Sequence, residues 1–208
     1  MPRLVTPAVA PGSLARLRQP VLEQDGFVLR PWRESDAPAV AEAYSDPGIQ
    51  HWHNRSMNRP EAHAWVGSWP GRWAEESGAG WAIDGPSGLL GQISLRRVDL
   101  AEGLAEVSYW VVPAARGHRL APRALCALSA WLFDHLDVHR VELAHSTMNP
   151  ASCRVADQAG YPLEGTKRGE SLHRDGWHDM HLHARLAADP RPSCQWPRPP
   201  AHRSGSVT

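Results

Sequence analysis

The sequence predicts an α/β fold, a mixed β-sheet of six to seven strands flanked by about four helices. Three observations carry that prediction. Short runs at Trp81–Ile83, Leu89–Val98 and Leu104–Val112 are apolar, β-branched or aromatic and are bounded by turn residues such as Asp84-Gly85-Pro86, as strands require. Elsewhere the period changes: from Pro122 to Leu136 the residues Leu125, Leu128, Leu132 and Leu136 recur at three and four, the spacing of an amphipathic helix. The two kinds of segment follow one another as strand, two helices, three strands, helix, strand, helix and two strands, an order that fits a mixed sheet and not a doubly wound parallel one.

Taken in order, Gly26 to Arg30 reads as a short first strand. Ser35-Asp36 caps a helix through Ala39, Val40, Ala43 and Tyr44, which Asp46-Pro47-Gly48 stops. A second helical region, about Pro60 to Glu76, starts with proline in its first turn and is bent or broken by Pro70-Gly71. The three strands above follow, then the Pro122–Leu136 helix, a strand from Arg140 to Ala144, and a helix from Pro150 to Ala159. Two strands, Tyr161–Arg168 and Trp177–Leu186, close the chain around Asp175-Gly176.

A chain of 208 residues buries one full core and is short for two. Residues 1–22, interrupted by four prolines, are expected to be a flexible N-terminal segment; residues 23–187 form the domain; residues 188–208 are a Pro-rich disordered tail. Lys+Arg (22) equal Asp+Glu (22), so the average charge gives no footprint for nucleic acid or an anionic membrane. Three widely spaced cysteines make no disulfide framework, and neither a secretory signal nor a membrane span is read, so the expected setting is the cytoplasm. Ten tryptophans are twice the five Phe and Tyr, and five of them, Trp52 through Trp81, fall within thirty residues.

The stretch Val111-Val112-Pro113-Ala114-Ala115-Arg116-Gly117-His118-Arg119-Leu120-Ala121 joins the strongest strand to the amphipathic helix. A strand that turns on small residues into a helix N-terminus aims several backbone N–H groups one way, and the helix dipole adds positive potential there. It suits a phosphate, although an ordinary turn with solvated arginines would have the same residues.

Within that stretch, Arg116-x-x-Arg119-x-Ala121 resembles the acetyl-CoA signature of the GNAT N-acetyltransferase superfamily, Gln/Arg-x-x-Gly-x-Gly/Ala. Asn149-Pro150-Ala151-Ser152 through Val155 to Gly160-Tyr161 resembles the family's Asn-x-x-Ser-x-x-Val-x-x-x-x-Gly-Phe/Tyr segment, with Asn149 as helix cap and Gly160 as the helix end. Leu29-Arg30-Pro31 followed by Ser-Asp, Glu106 to Val111, and Leu163-Glu164-Gly165 look most like the Rim-type branch, which acetylates ribosomal-protein N-termini. The resemblance covers about residues 25–187. One position departs from it: Arg119 stands where the signature has its second glycine, and it either crowds the pyrophosphate or swings away and pairs with it.

The resemblance implies that the strand carrying Tyr109 to Val112 splays from the strand beginning near Arg140, and that pantetheine lies in the gap. It implies a cofactor-binding set of Val111, Val112, Arg116, Gly117, His118, Arg119, Leu120, Ala121, Asn149 and Ser152, with acetyl-CoA as co-substrate. The Val111 N–H would polarise the thioester carbonyl for direct attack by an amine. Glu106, which shares a strand face with Ser108 and Trp110, would drain the amine proton through water, or else is an exposed strand glutamate. Ser152 would bond pantetheine or assist the thiolate, or else only supports its helix start. Tyr109 reads as core or pocket wall, and Cys153 as a small buried thiol.

No metal is expected. Pairs such as His51/His53, or His178, His181 and His183, can share a strand side, but no third and fourth ligands appear at a defined spacing. The acceptor is an amine, of a protein N-terminus or a small molecule; Trp52, Trp65, Trp69, Trp73 and Trp177 near Glu61, Glu75 and Glu76 would suit a cation. No nucleic acid or membrane partner is expected, and monomer and homodimer remain open. The alternative function is a non-catalytic acyl-CoA-binding regulatory module.

Overall fold

The computed structural model describes residues 4–192; the expected tail beyond Pro192 lies outside the described residues. Among the described residues there are eight strands and five α-helices: β1 Leu22–Gln24, β2 Phe27–Pro31, α1 Ala37–Ala43, α2 Pro47–His53, α3 Arg59–Ala74, β3 Ala79–Gly85, β4 Gly88–Asp99, β5 Leu104–Val111, α4 Leu120–His135, β6 Arg140–Ser146, α5 Pro150–Gln158, β7 Leu163–His173 and β8 Gly176–Leu186. They make one mixed sheet in the order β1-β2-β3-β4-β5-β6-β8-β7. Every neighbouring pair is antiparallel except β5 and β6.

The sheet has one strand more than the upper expectation. β1 is three residues, Leu-Glu-Gln, too short to show a period, and it pairs with β2 around Asp25-Gly26, where Gly26 takes φ +84°. α2 is the extra helix. Asp46-Pro47-Gly48 ends α1 as expected, but the Asp46 carboxylate also accepts the Ile49 amide at 2.9 Å and Pro47 occupies the first turn, so the same residues start the next helix. α3 is one helix through Pro70; buried Trp69 and Trp73 flank the proline and hold both halves on the sheet.

The N-terminal segment is corrected for its described part. Val9 and Leu14 are buried, Ala8 and Val9 donate to the carbonyls of Ala101 and Leu100, and the Glu76 carboxylate accepts the amides of Gly12, Leu14 and Ala15. The prolines suppress regular structure there without suppressing apolar side chains, and Leu14 is one of the most deeply buried residues.

Two cores lie on the two sheet faces. On one, Leu125, Leu128 and Leu132 of α4 meet Trp81, Ile83, Ile93, Leu95 and Val107. On the other, α1, α2 and α3 close over Trp110 through Val40, Tyr44, Ile49 and Val66. The second core is anchored by a buried ion network: Arg30 on β2 grips Asp36 with two bonds of 2.7 and 2.8 Å and reaches Asp84 on β3 at 2.7 Å. Such bidentate geometry compensates the desolvation of both charges. Among the described residues no helix is long and apolar enough to cross a membrane.

Candidate active site

β5 and β6 run parallel in register only from Leu104↔Arg140 to Val107↔Leu143. Beyond that the strands separate, so Ser108–Val111 and Ala144–Ser146 face each other across a gap while each keeps its outer partner, β4 or β8. The hydrogen-bond alternation decides what the gap contains. Val112 N–H donates to Leu90 C=O at 2.9 Å, so residues 112, 110 and 108 make the bonds to β4 and residues 111 and 109 turn their main-chain groups into the gap. Two side chains confirm the direction: a His53 ring nitrogen meets Tyr109 C=O at 3.1 Å, and Arg116 Nε donates to Val111 C=O at 3.1 Å. The Val111 N–H therefore points into the opening.

A cleft of about 930 Å³ passes through this gap. One mouth is the turn between β5 and α4. A single 3₁₀ turn at Pro113–Ala115 leads to Gly117 at φ +83° and Arg119 at φ +55°, the latter capping α4 in the left-handed conformation. Arg119 thus keeps the backbone that a glycine would take at that signature position, at a local cost of about 1 kcal/mol for the side chain. The opposite wall is the start of α5, where Asn149 Oδ1 accepts the Ser152 amide at 3.1 Å.

Of the expected site residues, Val111, Arg116, Gly117, Arg119, Leu120, Ala121, Asn149 and Ser152 line the cleft. Three do not. Val112 is bound to Leu90, His118 turns onto the Arg116 carbonyl at 3.1 Å, and Glu106 sits one residue before the strands part, beside Arg96 at 3.4 Å. Tyr109, read as packing or pocket wall, does line the cleft. Its buried hydroxyl faces Ser152 without reaching hydrogen-bond geometry, and burial pushes the phenol up to about 12, so it stays protonated.

The acceptor side differs from expectation. Trp52, Trp65 and Trp69 do line the cleft, but Trp73 is core and Trp177 is exposed on β8. None of the three carboxylates lines the cleft: Glu61 closes the capping box of α3 with Asn58, Glu76 holds the N-terminal segment, and Glu75 is exposed. Among the described residues the cleft lining contains no Asp or Glu and six arginines, Arg55, Arg72, Arg96, Arg116, Arg119 and Arg154. A chain of zero net charge therefore has a strongly cationic cleft.

One polar chain leaves this wall. Ser146 lines the cleft, and its Oγ accepts the Met148 amide and lies 2.9 Å from His178 Nδ1, while His178 Nε2 lies 3.0 Å from Asp175. The Asp175 carboxylate only accepts, so Nε2 carries the hydrogen, and in the neutral ring Nδ1 accepts from the Ser146 hydroxyl; the three are oriented as a relay from cleft to surface. No sequence spacing marks it, because its members sit on β6, β8 and the turn before β8.

Residues 27–162 match the family model of the acetyltransferase (GNAT) domain. A putative ribosomal N-acetyltransferase of Bacillus subtilis is 30% identical over 115 residues, covering 54% of this chain and 61% of the relative. A ribosomal-protein-serine acetyltransferase of Escherichia coli is 30% identical over 98 residues, covering 47% and 55%. The match thus spans little more than half the length of these curated relatives. Among solved structures, a ribosomal L7/L12 alpha-N-protein acetyltransferase in complex with coenzyme A superposes with a TM-score of 0.76 at 20% identity, over 82% of this chain and all (100%) of that one. A microcin C7 self-immunity acetyltransferase in complex with acetyl-CoA and AMP gives 0.72 at 16% identity, over 78% and 93%.

Proposed function

This chain belongs to the GNAT acetyltransferase family, and from that premise we propose that it moves an acetyl group from acetyl-CoA directly to a primary amine. The observation that carries the proposal is the parting of β5 from β6 with the Val111 N–H turned into the gap. An extended pantetheine arm fits such a gap as an added strand would. The diphosphate lies at the Gly117–Ala121 turn and the N-terminus of α4, where main-chain donors and Arg119 meet it.

Val111 N–H then polarises the thioester carbonyl and holds the oxyanion. The neutral amine attacks, the carbon–sulfur bond breaks, and the departing thiolate takes a hydrogen bond from Tyr109 or Ser152. Tyr109 suits that part because it is buried, protonated and beside Ser152. Glu106 stands outside the cleft lining, so the amine proton is taken instead by Ser146 as its own hydrogen moves to His178, and leaves to solvent at Asp175. No covalent enzyme intermediate is needed, and the use of acetyl-CoA supports a cytoplasmic setting.

The acceptor proposed is a protein α-amine. The relatives named for ribosomal proteins support that class, and the carboxylate-free cleft favours an amine followed by acidic or neutral residues over a polycation. The direct test measures CoA release from acetyl-CoA with N-terminal peptides of graded charge, aminoglycosides and polyamines. Stimulation by neutral or acidic peptides supports the reading; release stimulated only by polyamines or aminoglycosides overturns the acceptor, and binding without any stimulated release favours the regulatory module.

A further inference from the structure

Behind the α5 wall, one potential ligand atom from each of His145, Cys153, His181 and His183 lies within 4.8 Å of every other. Cys153 Sγ is 3.9 Å from His183 Nε2 and 4.0 Å from His181 Nδ1. A tetrahedral zinc with Zn–N of about 2.0–2.1 Å and Zn–S of about 2.3 Å needs ligand atoms about 3.3–3.6 Å apart, so the Cys153 pairs close by about half an ångström and the widest pair by a little over about 1 Å, shared between two side chains.

Two of the four are already oriented for metal. His145 Nδ1 lies 2.8 Å from the Ser146 carbonyl and His183 Nδ1 lies 3.0 Å from the Tyr161 carbonyl. A carbonyl only accepts, so both rings carry hydrogen on Nδ1 and present a lone pair on Nε2, the outer-shell pattern that orients ligating histidines. His145 Nε2 is buried and has no hydrogen-bond partner, although buried polar atoms are nearly always paired. The backbone supplies the convergence: His145 is directly opposite His181 across β6 and β8, His183 is one pleat further on the same face, and α5 lays Cys153 over them. Because the ligands come from three elements, no spacing in the sequence shows the third and fourth.

We propose that His145, Cys153, His181 and His183 bind one Zn²⁺ in a closed tetrahedral site that ties α5 to β6 and β8. A thiolate with three imidazoles, and no position left open, suits zinc in a structural role. Binding exchanges the Cys153 thiol proton for the metal, with one proton released to solvent and no change of oxidation state. Since Cys153 follows Ser152, the metal would also stiffen the wall of the acyl-carrier cleft, but the site stands on its own geometry, whatever the chain acetylates.

The test titrates the full chain, stripped with a chelator, with Co²⁺ and then Zn²⁺. Expected is one equivalent of Co²⁺ with intense visible bands of tetrahedral cobalt and a thiolate charge-transfer band, both erased by one equivalent of Zn²⁺. Cys153→Ser should abolish the charge-transfer band and raise the metal Kd by at least the roughly 10–100-fold that outer-shell changes alone cost. The half-buried His181→Asn should weaken binding similarly, with far-UV circular dichroism confirming the fold of both variants. A weak octahedral spectrum, or affinity unchanged in both variants, overturns the site and assigns the binding to others of the twelve histidines.

Discussion

Arg116 and Asp46, seventy residues apart, meet at 2.7 Å, and the same guanidinium donates through Nε to the carbonyl of Val111 at 3.1 Å. Asp46 also caps α2 through the Ile49 amide. Burial raises the Asp46 pKa, but Arg116 and that amide outweigh it and hold the carboxylate below its usual range. One arginine of the expected phosphate cradle is therefore spent on joining the end of β5 to the helix layer. Arg116→Ala should raise the KM for acetyl-CoA roughly tenfold, about 1.4 kcal/mol, by loosening Val111. Stability should change by less than about 1 kcal/mol, because the pair is exposed. Steady-state kinetics beside a urea melt separates the two, and an unchanged KM would remove the positioning role.

The proposed oxyanion contact is a main-chain donor, so side-chain chemistry at that position should matter little. Val111→Ala is expected to retain kcat within about threefold, whereas Val111→Pro deletes the N–H and should lower kcat by about 10²–10³. Val112→Pro controls for strand damage, since its N–H serves only the bond to Leu90. Equal losses at the two positions would place the oxyanion donor elsewhere.

Arg119 separates backbone shape from charge. Its φ of +55° is where glycine is relaxed and arginine strained. Arg119→Gly should therefore stabilise the fold by no more than about 0.6 kcal/mol, the relieved strain net of the added unfolded-state entropy, while weakening acetyl-CoA binding through the lost charge. Calorimetry with acetyl-CoA and a thermal melt read the two effects independently. A gain in affinity would mean that the side chain obstructs the diphosphate.

Sequence patterns foresaw what is local and periodic. The leucine spacing of α4 and the Asn149–Tyr161 run were legible because the first is one long element with its own buried face and the second carries its own cap in Asn149. β1 was not, since three residues carry no period. Asp46-Pro47-Gly48 misled because a helix stop and a helix start use the same residue types. The acceptor carboxylates misled for a different reason: composition near the tryptophans says nothing about which backbone amides Glu61 and Glu76 serve. The Ser146 relay and the His145–Cys153 cluster were out of reach because strand pairing across β6 and β8, not chain distance, brings them together.

His53 gives the fold an acid-sensitive point. Burial, aided by the charges of Arg55 and Arg96 and opposed by the Tyr109 carbonyl, pushes its imidazole down to about 4. The unfolded value is about 6.5, so between these limits the unfolded chain binds the additional proton. Stability is then complete above about pH 6.5 and falls as pH drops toward 4, by about 1–3 kcal/mol allowing for access of solvent along the cleft. His53→Gln, which keeps a donor for Tyr109 C=O, should flatten that acid limb in urea melts taken from pH 7 to 4. An identical slope in the variant would assign the limb to other groups.

The relay predicts a pH-dependent signature distinct from simple packing loss. If the amine proton leaves through Ser146 and His178 toward Asp175, then Ser146→Ala interrupts the path at the cleft, and His178→Gln keeps both hydrogen-bond ends but cannot carry a proton. Each should lower kcat by about 10²-fold at neutral pH, the lower end of general acid–base effects, with KM for acetyl-CoA unchanged. At high pH, where the acceptor amine arrives neutral, the deficit should shrink toward the wild-type rate, because the amine then needs no deprotonation before it attacks and its second proton can leave with the thiolate. A deficit constant across pH would show that the two residues only support the β6–β8 wall, and the proton would have to be sought along β5, at Glu106.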